Sequence, residues 1–267
     1  MSGKDFDGFV VVVTGGSTGL GRAIAVETAS RGAAVVVINY ASSQAEAEET
    51  GRLCEAQGAK AVLVQGDVGE DADCRRIAAA AEPFGRIDAL FNNAGVTKFA
   101  PNHGDLDAVD AEDFLRLYRV NVVGAFQMVR AARTLLEAAP QPGAVVNTAS
   151  IAGVTGIGSS VPYAASKGAM TTLTLSLARG LAPNIRVNAI CPGFIDTPWF
   201  GKAMADDTVS RMREGVIRST PLKAASTAED IAGAAVFLAA PASRHVTGET
   251  LLVDAGTHLG FASMSMR

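Results

Sequence analysis

Val10-Val11-Val12-Val13-Thr14-Gly15-Gly16-Ser17-Thr18-Gly19-Leu20-Gly21 reads as a strand running into a glycine turn and then a helix. Four consecutive β-branched residues without polar alternation suit a strand covered on both faces. Glycines 15, 19 and 21 permit a tight turn and a close backbone approach to a phosphate, and the N-terminus of the next helix favours an anion. The spacing, Gly15-x3-Gly19-x-Gly21, differs from Gly-x-Gly-x-x-Gly, but its strand–turn–helix setting suits dinucleotide binding. A plain glycine-rich turn looks the same in isolation, so the rest of the chain decides.

The rhythm continues outward from this stretch. A helix over 19–30 stops at Arg31-Gly32, and 35–38 is a second strand followed by a helix over 43–56. Strand 60–66 leads to helix 70–82, and strands follow at 89–92, 144–148, 185–190 and 250–253. Helices are expected over 112–138 and 162–181, and Ser226-Thr-Ala-Glu229 predicts a capping box opening a helix that ends at Leu238. Strand–helix alternation with right-handed crossovers predicts an α/β fold, a Rossmann-type doubly wound parallel sheet with helices on both faces. No linker or shift in composition divides the 267 residues, so one domain over 1–267 is expected. Its ligand belongs at the carboxyl ends of the strands, where the strand order reverses.

Composition excludes several classes. Lys and Arg number 23 against 27 Asp and Glu, a net charge of −4, which lacks the basic excess that nucleic-acid binding needs. No apolar run reaches the roughly eighteen residues of a membrane span, and the charged start MSGKDFDG predicts no secretory leader. Cys54, Cys74 and Cys191 are odd in number and lack Cys-x-x-Cys spacing, as expected of reduced thiols in a cytoplasmic protein. His103, His245 and His258 are too scattered to suggest a metal, and none is expected.

Chemistry-bearing residues stand at the strand ends. Asp67-Val68 closes the third strand, where a carboxylate suits an adenine amino group, and Asn92-Asn93-Ala94-Gly95 closes the fourth. The second strand runs into Asn39-Tyr40-Ala41-Ser42-Ser43 without a carboxylate. An acidic residue there would hold a ribose 2′-hydroxyl and repel a 2′-phosphate, so neutral donors favour NADP over NAD. Tyr163 and Lys167 are one helical turn apart on one face. A cation about 4 Å from a phenol supplies on the order of 4 kcal/mol, roughly what lowering its pKa towards neutrality requires. Ser150 follows the fifth strand, where its hydroxyl suits a substrate oxygen, and Asn121 sits where helix propensity is poor. Each of these alone is more often a packing or turn residue.

Taken in order, TGGSTGLG, Asp67-Val68, Asn-Asn-Ala-Gly, Ser150, Tyr163-x-x-x-Lys167 and Cys191-Pro-Gly-Phe resemble the short-chain dehydrogenase/reductase family over about 6–256. The chain looks nearest to the branch containing 3-oxoacyl-thioester reductases. The resemblance implies hydride transfer between NADP or NAD and a small carbonyl or alcohol substrate. Tyr163 would be the acid/base, Lys167 its activator, Ser150 the orienting hydroxyl and Asn121 the holder of a relay water. It implies cofactor contacts from Gly15, Ser17, Thr18, Gly19, Leu20, Gly21 and the 39–42 segment, then Asp67, Val68, Asn93, Ala94 and Gly95. Tyr163, Lys167, Pro192, Gly193, Ile195 and Thr197 would meet the nicotinamide end. Thr18 stands where NADP-preferring members often carry a basic residue, and Asp254-Ala255-Gly256 where Asp-Gly-Gly is common. A helical lid over 198–223, with Trp199 and Phe200 at its start, and a homotetramer are expected. The rivals are a dinucleotide-binding sensor or scaffold without useful turnover, and an epimerase or dehydratase, relatives of which usually carry a larger C-terminal substrate domain than the 14 residues that follow Val253 here.

Overall fold

The computed structural model describes residues 4–197 and 206–260. Seven strands form one sheet: β1 Val10–Val13, β2 Val35–Tyr40, β3 Lys60–Gln65, β4 Ala89–Asn92, β5 Gly143–Thr148, β6 Ile185–Pro192 and β7 Thr250–Val253. Their order is β3-β2-β1-β4-β5-β6-β7, and every pairing is parallel. The order reverses between β1 and β4, which opens a crevice at their carboxyl ends.

The helices are α1 Gly19–Ser30, α2 Gln44–Ala56, α3 Asp71–Ala79, α4 Ala111–Tyr118, α5 Ala125–Glu137, α6 Ala152–Thr155, α7 Val161–Leu181, α8 Asp206–Ser219 and α9 Ala228–Ala239. Successive side chains of β1 enter opposite layers, as a pleated strand requires. Val11 and Val13 pack with α1 and α9, while Val10 and Val12 pack with α3, α5 and α7. This two-sided burial is why the run carries no polar alternation.

Three departures from the sequence expectation have a clear physical reason. β2 continues through Asn39 and Tyr40, whose polar groups disguise two buried strand residues. The helix expected over 112–138 is broken by a π-helical turn, Arg119–Gly124, that contains Asn121. The capping box lies one residue later than predicted: Thr227 accepts from the Asp230 N–H at 3.3 Å, and the Asp230 carboxylate accepts from the Thr227 N–H at 2.8 Å. Ser226 is drawn out of the cap because its backbone bridges to Ile195 and its carbonyl accepts from Asp196.

Ala255, where glycine was expected, adopts φ +56°. A left-handed alanine costs about 1–2 kcal/mol. Ala255→Gly is therefore expected to stabilise the protein by about 0.5–1 kcal/mol, net of glycine's larger unfolded-state entropy. A higher urea midpoint at unchanged denaturant slope would show it, and a lower midpoint would contradict it.

Candidate active site

The crevice beside β1 is built by backbone proximity. Gly15 has φ +60°, and a Cβ there would lie 2.9 Å from the Ala94 Cα; a Cβ on Gly21 would lie 2.2 Å from the Gly15 carbonyl oxygen. Thr14 and Asn93 lock the two segments together. The Thr14 hydroxyl accepts from the Asn93 and Ala94 N–H groups at 3.0 and 3.1 Å, and the Asn93 amide donates to the Thr14 and Gly15 carbonyls at 3.2 and 3.1 Å. Thr18 at the N-cap of α1 makes no side-chain cap bond, and no acidic residue stands in the first turn. The first-turn N–H groups and the positive dipole end therefore remain for an anion, which fits a dinucleotide pyrophosphate. Gly21→Ala is expected to cost about 1–3 kcal/mol of stability by overpacking and to abolish dinucleotide binding. A denaturation midpoint and a fluorescence titration check the two effects.

Where the adenosine is expected, Thr14, Val68, Asn92, Ala94 and Gly124 come together at the ends of β1, β3 and β4. Asp67 accepts from the Gly69 N–H at 2.8 Å and from Arg119 at 3.2 Å, which leaves carboxylate lone pairs for another donor. Two expectations need correction. Asn39 is 1% exposed; its amide oxygen accepts from the Gly15 N–H at 3.2 Å, and its NH₂ donates to the Val64 and Gly66 carbonyls at 3.2 and 3.0 Å. It braces the glycine loop and offers no donor to a 2′-phosphate. Tyr40 is buried as well, so Ala41 and Ser42 are the exposed residues at the end of β2. Likewise the Asn93 side chain braces the loop, with its amide hydrogens directed at backbone.

The catalytic candidates meet across the carboxyl ends of β5 and α7's first turns. Ser160 caps α7, its hydroxyl accepting from the Tyr163 N–H at 3.3 Å, and Pro162 pre-forms the first turn. Tyr163 and Lys167 are both buried, with the ammonium 5.8 Å from the ring centroid. Lys167 Nζ donates to the Thr148 carbonyl at 2.7 Å. The Ser150 hydroxyl accepts from the Ala152 N–H at 3.1 Å and is hydrogen-bonded to the Tyr163 side chain. Close packing makes this possible: a Cβ on Gly153 would lie 2.4 Å from the Lys167 carbonyl carbon.

The electrostatics differ from the expectation of a phenol already activated by its lysine. Burial pushes Tyr163 up to about 12, against the lowering effect of the Ser150 hydrogen bond. Burial also pulls Lys167 down to about 8. Desolvation penalises both charged forms, and the ammonium stands 5.8 Å from the centroid of the phenol ring. Burial thus works against the charged form of each group, the phenolate and the ammonium, in the ligand-free protein.

Asn121 is 2% exposed, and its amide oxygen accepts from the Val96 N–H at 2.8 Å. Its NH₂ donates to the Val96 carbonyl and the Ser166 hydroxyl, both at 3.0 Å. Both amide hydrogens are thus engaged, and the side chain acts first as a brace. Beyond β6, Gly193 packs against Asp254, Ile195 pairs with Ser226, and Thr197 faces Gly19 across the crevice. Arg213 on α8 pairs with Asp196 at 3.1 Å and ties the helical part of the predicted lid to this loop. Trp199 and Phe200 lie outside the described residues.

Cys191 lies beneath the site, but burial raises its thiol to about 11, and burial raises Cys54 and Cys74 to about 12, so none is an activated nucleophile. Among the described residues no group of three or more His, Cys, Asp or Glu could hold a metal, and no helix is long and apolar enough to cross a membrane. Sequence reasoning did not single out Thr14, Thr148, Gly153 or Ser166 as functional. Only Ser166, lying between Tyr163 and Lys167, carried a visible signal.

This is the architecture of a dinucleotide-dependent oxidoreductase, and the comparisons agree. A family profile described as Enoyl-(Acyl carrier protein) reductase matches residues 15–258. The ketoacyl reductase 2 of the granaticin polyketide synthase of Streptomyces violaceoruber is 41% identical over 94% of this chain and 96% of its own. An L-rhamnose 1-dehydrogenase (NAD(P)(+)) of a Sphingomonas species is 37% identical over 96% of this chain and 98% of its own. The crystal structure of a short-chain dehydrogenase/reductase from Burkholderia xenovorans superposes with a TM-score of 0.86 at 41% identity, covering 94% and 98% of the two chains. The chain belongs to the short-chain dehydrogenase/reductase family and is an NAD(P)-dependent oxidoreductase interconverting an alcohol and a ketone. The sensor or scaffold reading is not favoured.

Proposed function

We propose that the chain reduces a small ketone, a 3-oxoacyl thioester or similar compound, and prefers NADP(H) to NAD(H). The observation that carries the chemistry is the Ser150–Tyr163–Lys167 group at the carboxyl edge of β5, its tyrosine and lysine buried, with the glycine cradle of α1 in the same crevice. When bound, the cofactor supplies the hydride for reduction or accepts it in oxidation. Ser150, held by the Ala152 N–H, orients the substrate oxygen. Tyr163 delivers the proton to that oxygen from its hydroxyl. Lys167, in its protonated form, grips the cofactor ribose and stabilises the phenolate. Asn121 fixes Val96 and Ser166 beside them, and a relay water is left with one lone pair of its amide oxygen.

The NADP preference is supported by the absence of a carboxylate at the end of β2. Ser42 is exposed there, and Ser43 at the α2 N-cap makes no side-chain cap bond. Arg22 stands between the glycine loop and α2, and its hydrogen bonds go to the Ser17 and Glu46 carbonyls and the Thr50 hydroxyl. The 3-oxoacyl substrate is supported by the similarity to a ketoacyl reductase. A homotetramer is proposed on the exposed apolar residues Phe114, Leu115, Phe126 and Leu175 of α4, α5 and α7, and a cytoplasmic location on the three free thiols.

Paired fluorescence titrations with NADPH and NADH test this reading. Binding of NADPH at least about tenfold tighter, or about 1.4 kcal/mol, is expected. A preference for NADH would overturn the cofactor choice and leave the enzyme class standing. Binding of neither would overturn the cradle itself.

A further inference from the structure

We infer that His103 is a positioning residue that sets substrate affinity by clasping the segment after β4 onto the segment before Tyr163. His103 Nε2 donates to the Gly158 carbonyl at 3.1 Å. Two further bonds join the same segments: the Ala100 N–H donates to the Ser159 carbonyl at 2.7 Å, and the Thr97 and Ser159 hydroxyls share a hydrogen. The clasp is anchored at both ends beside the tyrosine. Val96 is held by Asn121, and a Cβ on Gly158 would lie 3.4 Å from Tyr163 Cδ1 and 2.9 Å from the Ala152 Cβ. The segment carrying Gly158 therefore rests on the phenol ring, and His103 holds it there from the opposite loop. Two exposed apolar side chains, Leu106 and Ile157, lie on the joined segments, so the clasped wall suits an apolar substituent on the carbonyl carbon. A carbonyl accepts only if Nε2 carries hydrogen, which holds in the neutral Nε2–H tautomer and in the imidazolium alike.

This inference rests on Tyr163 acting at the substrate oxygen. The test compares His103→Ala and His103→Gln with the parent, using ethyl 3-oxobutanoate and NADPH, and follows Ala100 amide hydrogen exchange without substrate. In His103→Ala, Ala100 exchange is expected to quicken and KM to rise about five- to tenfold, the worth of one hydrogen bond. kcat, NADPH binding and melting temperature should stay near the parent's. His103→Gln, whose amide keeps a donor, should restore most of both. Unchanged Ala100 exchange or unchanged KM overturns the inference, as does a fall in melting temperature with matching loss of NADPH binding. Tyr163→Phe run in parallel separates the failures: if it keeps turnover, the acid/base reading falls, while Ala100 exchange still judges the clasp.

Discussion

Tyr163→Phe is expected to lower kcat by about a thousandfold, within the range for removing a positioned general acid, while NADPH binds with nearly unchanged affinity. The phenol is buried against Ser150 and Lys167, and phenylalanine keeps the ring that packs between Leu117 and Ala152. Packing should therefore survive, while the proton donor and the hydrogen bond to Ser150 are lost. Because the proton is needed only as charge develops on the substrate oxygen, kcat and kcat/KM should fall together. Retention of more than about a tenth of the parent rate would sink the assignment.

Lys167→Met is expected to impair turnover about as severely and, at neutral pH, to raise the stability of the ligand-free protein. Burial lowers the folded-state pKa of Lys167 from 10.5 to about 8, so keeping the amine charged below pH 8 costs folding free energy. The 2.5-unit difference corresponds to about 3 kcal/mol. Losing the bond to the Thr148 carbonyl takes back about 1–2 kcal/mol. A net gain of about 1–2 kcal/mol, or a few degrees in melting temperature, should remain near pH 7. The sign is set by a depressed lysine. The parent's penalty is complete below pH 8, shrinks as pH rises, and is gone above 10.5, so the advantage of the methionine should disappear over that interval. Methionine proving destabilising at pH 7 would contradict the buried-charge account.

The fold was legible because β1 is covered on both sides. Only a strand between two helical layers tolerates four consecutive valines, and the glycines that follow announce the turn into α1. Tyr163, Lys167 and Ser150 were legible for a similar reason, since one turn of helix and one strand end suffice to bring them together. Asn39, Asn93 and Asn121 were not. Their residue types and positions suggested contacts with ligand or water, but in each case the amide braces backbone from a distant segment, and a linear spacing carries no sign of that pairing. The shifted capping box has the same origin, because Ser226 pairs with Ile195 on another loop. The π-helical turn escaped notice because the apolar pattern on either side of it is helical. The desolvation of the Tyr163–Lys167 pair could not be read either, since it depends on how completely the folded chain removes water from both groups.

Tyrosine ionisation followed by ultraviolet difference absorbance, with and without saturating NADP⁺, tests the central claim most directly. The chain has three tyrosines, Tyr40, Tyr118 and Tyr163. Without cofactor, Tyr163 should stay protonated until about pH 12. With NADP⁺ present, the account predicts that one tyrosine ionises two or more units lower, at roughly pH 7–10, because a second positive charge then adjoins the phenol. That transition should vanish in Tyr163→Phe and move upward in Lys167→Met. If no tyrosine ionises below about pH 10 in the complex, Tyr163 is not the activated acid, and the mechanism built on it is wrong.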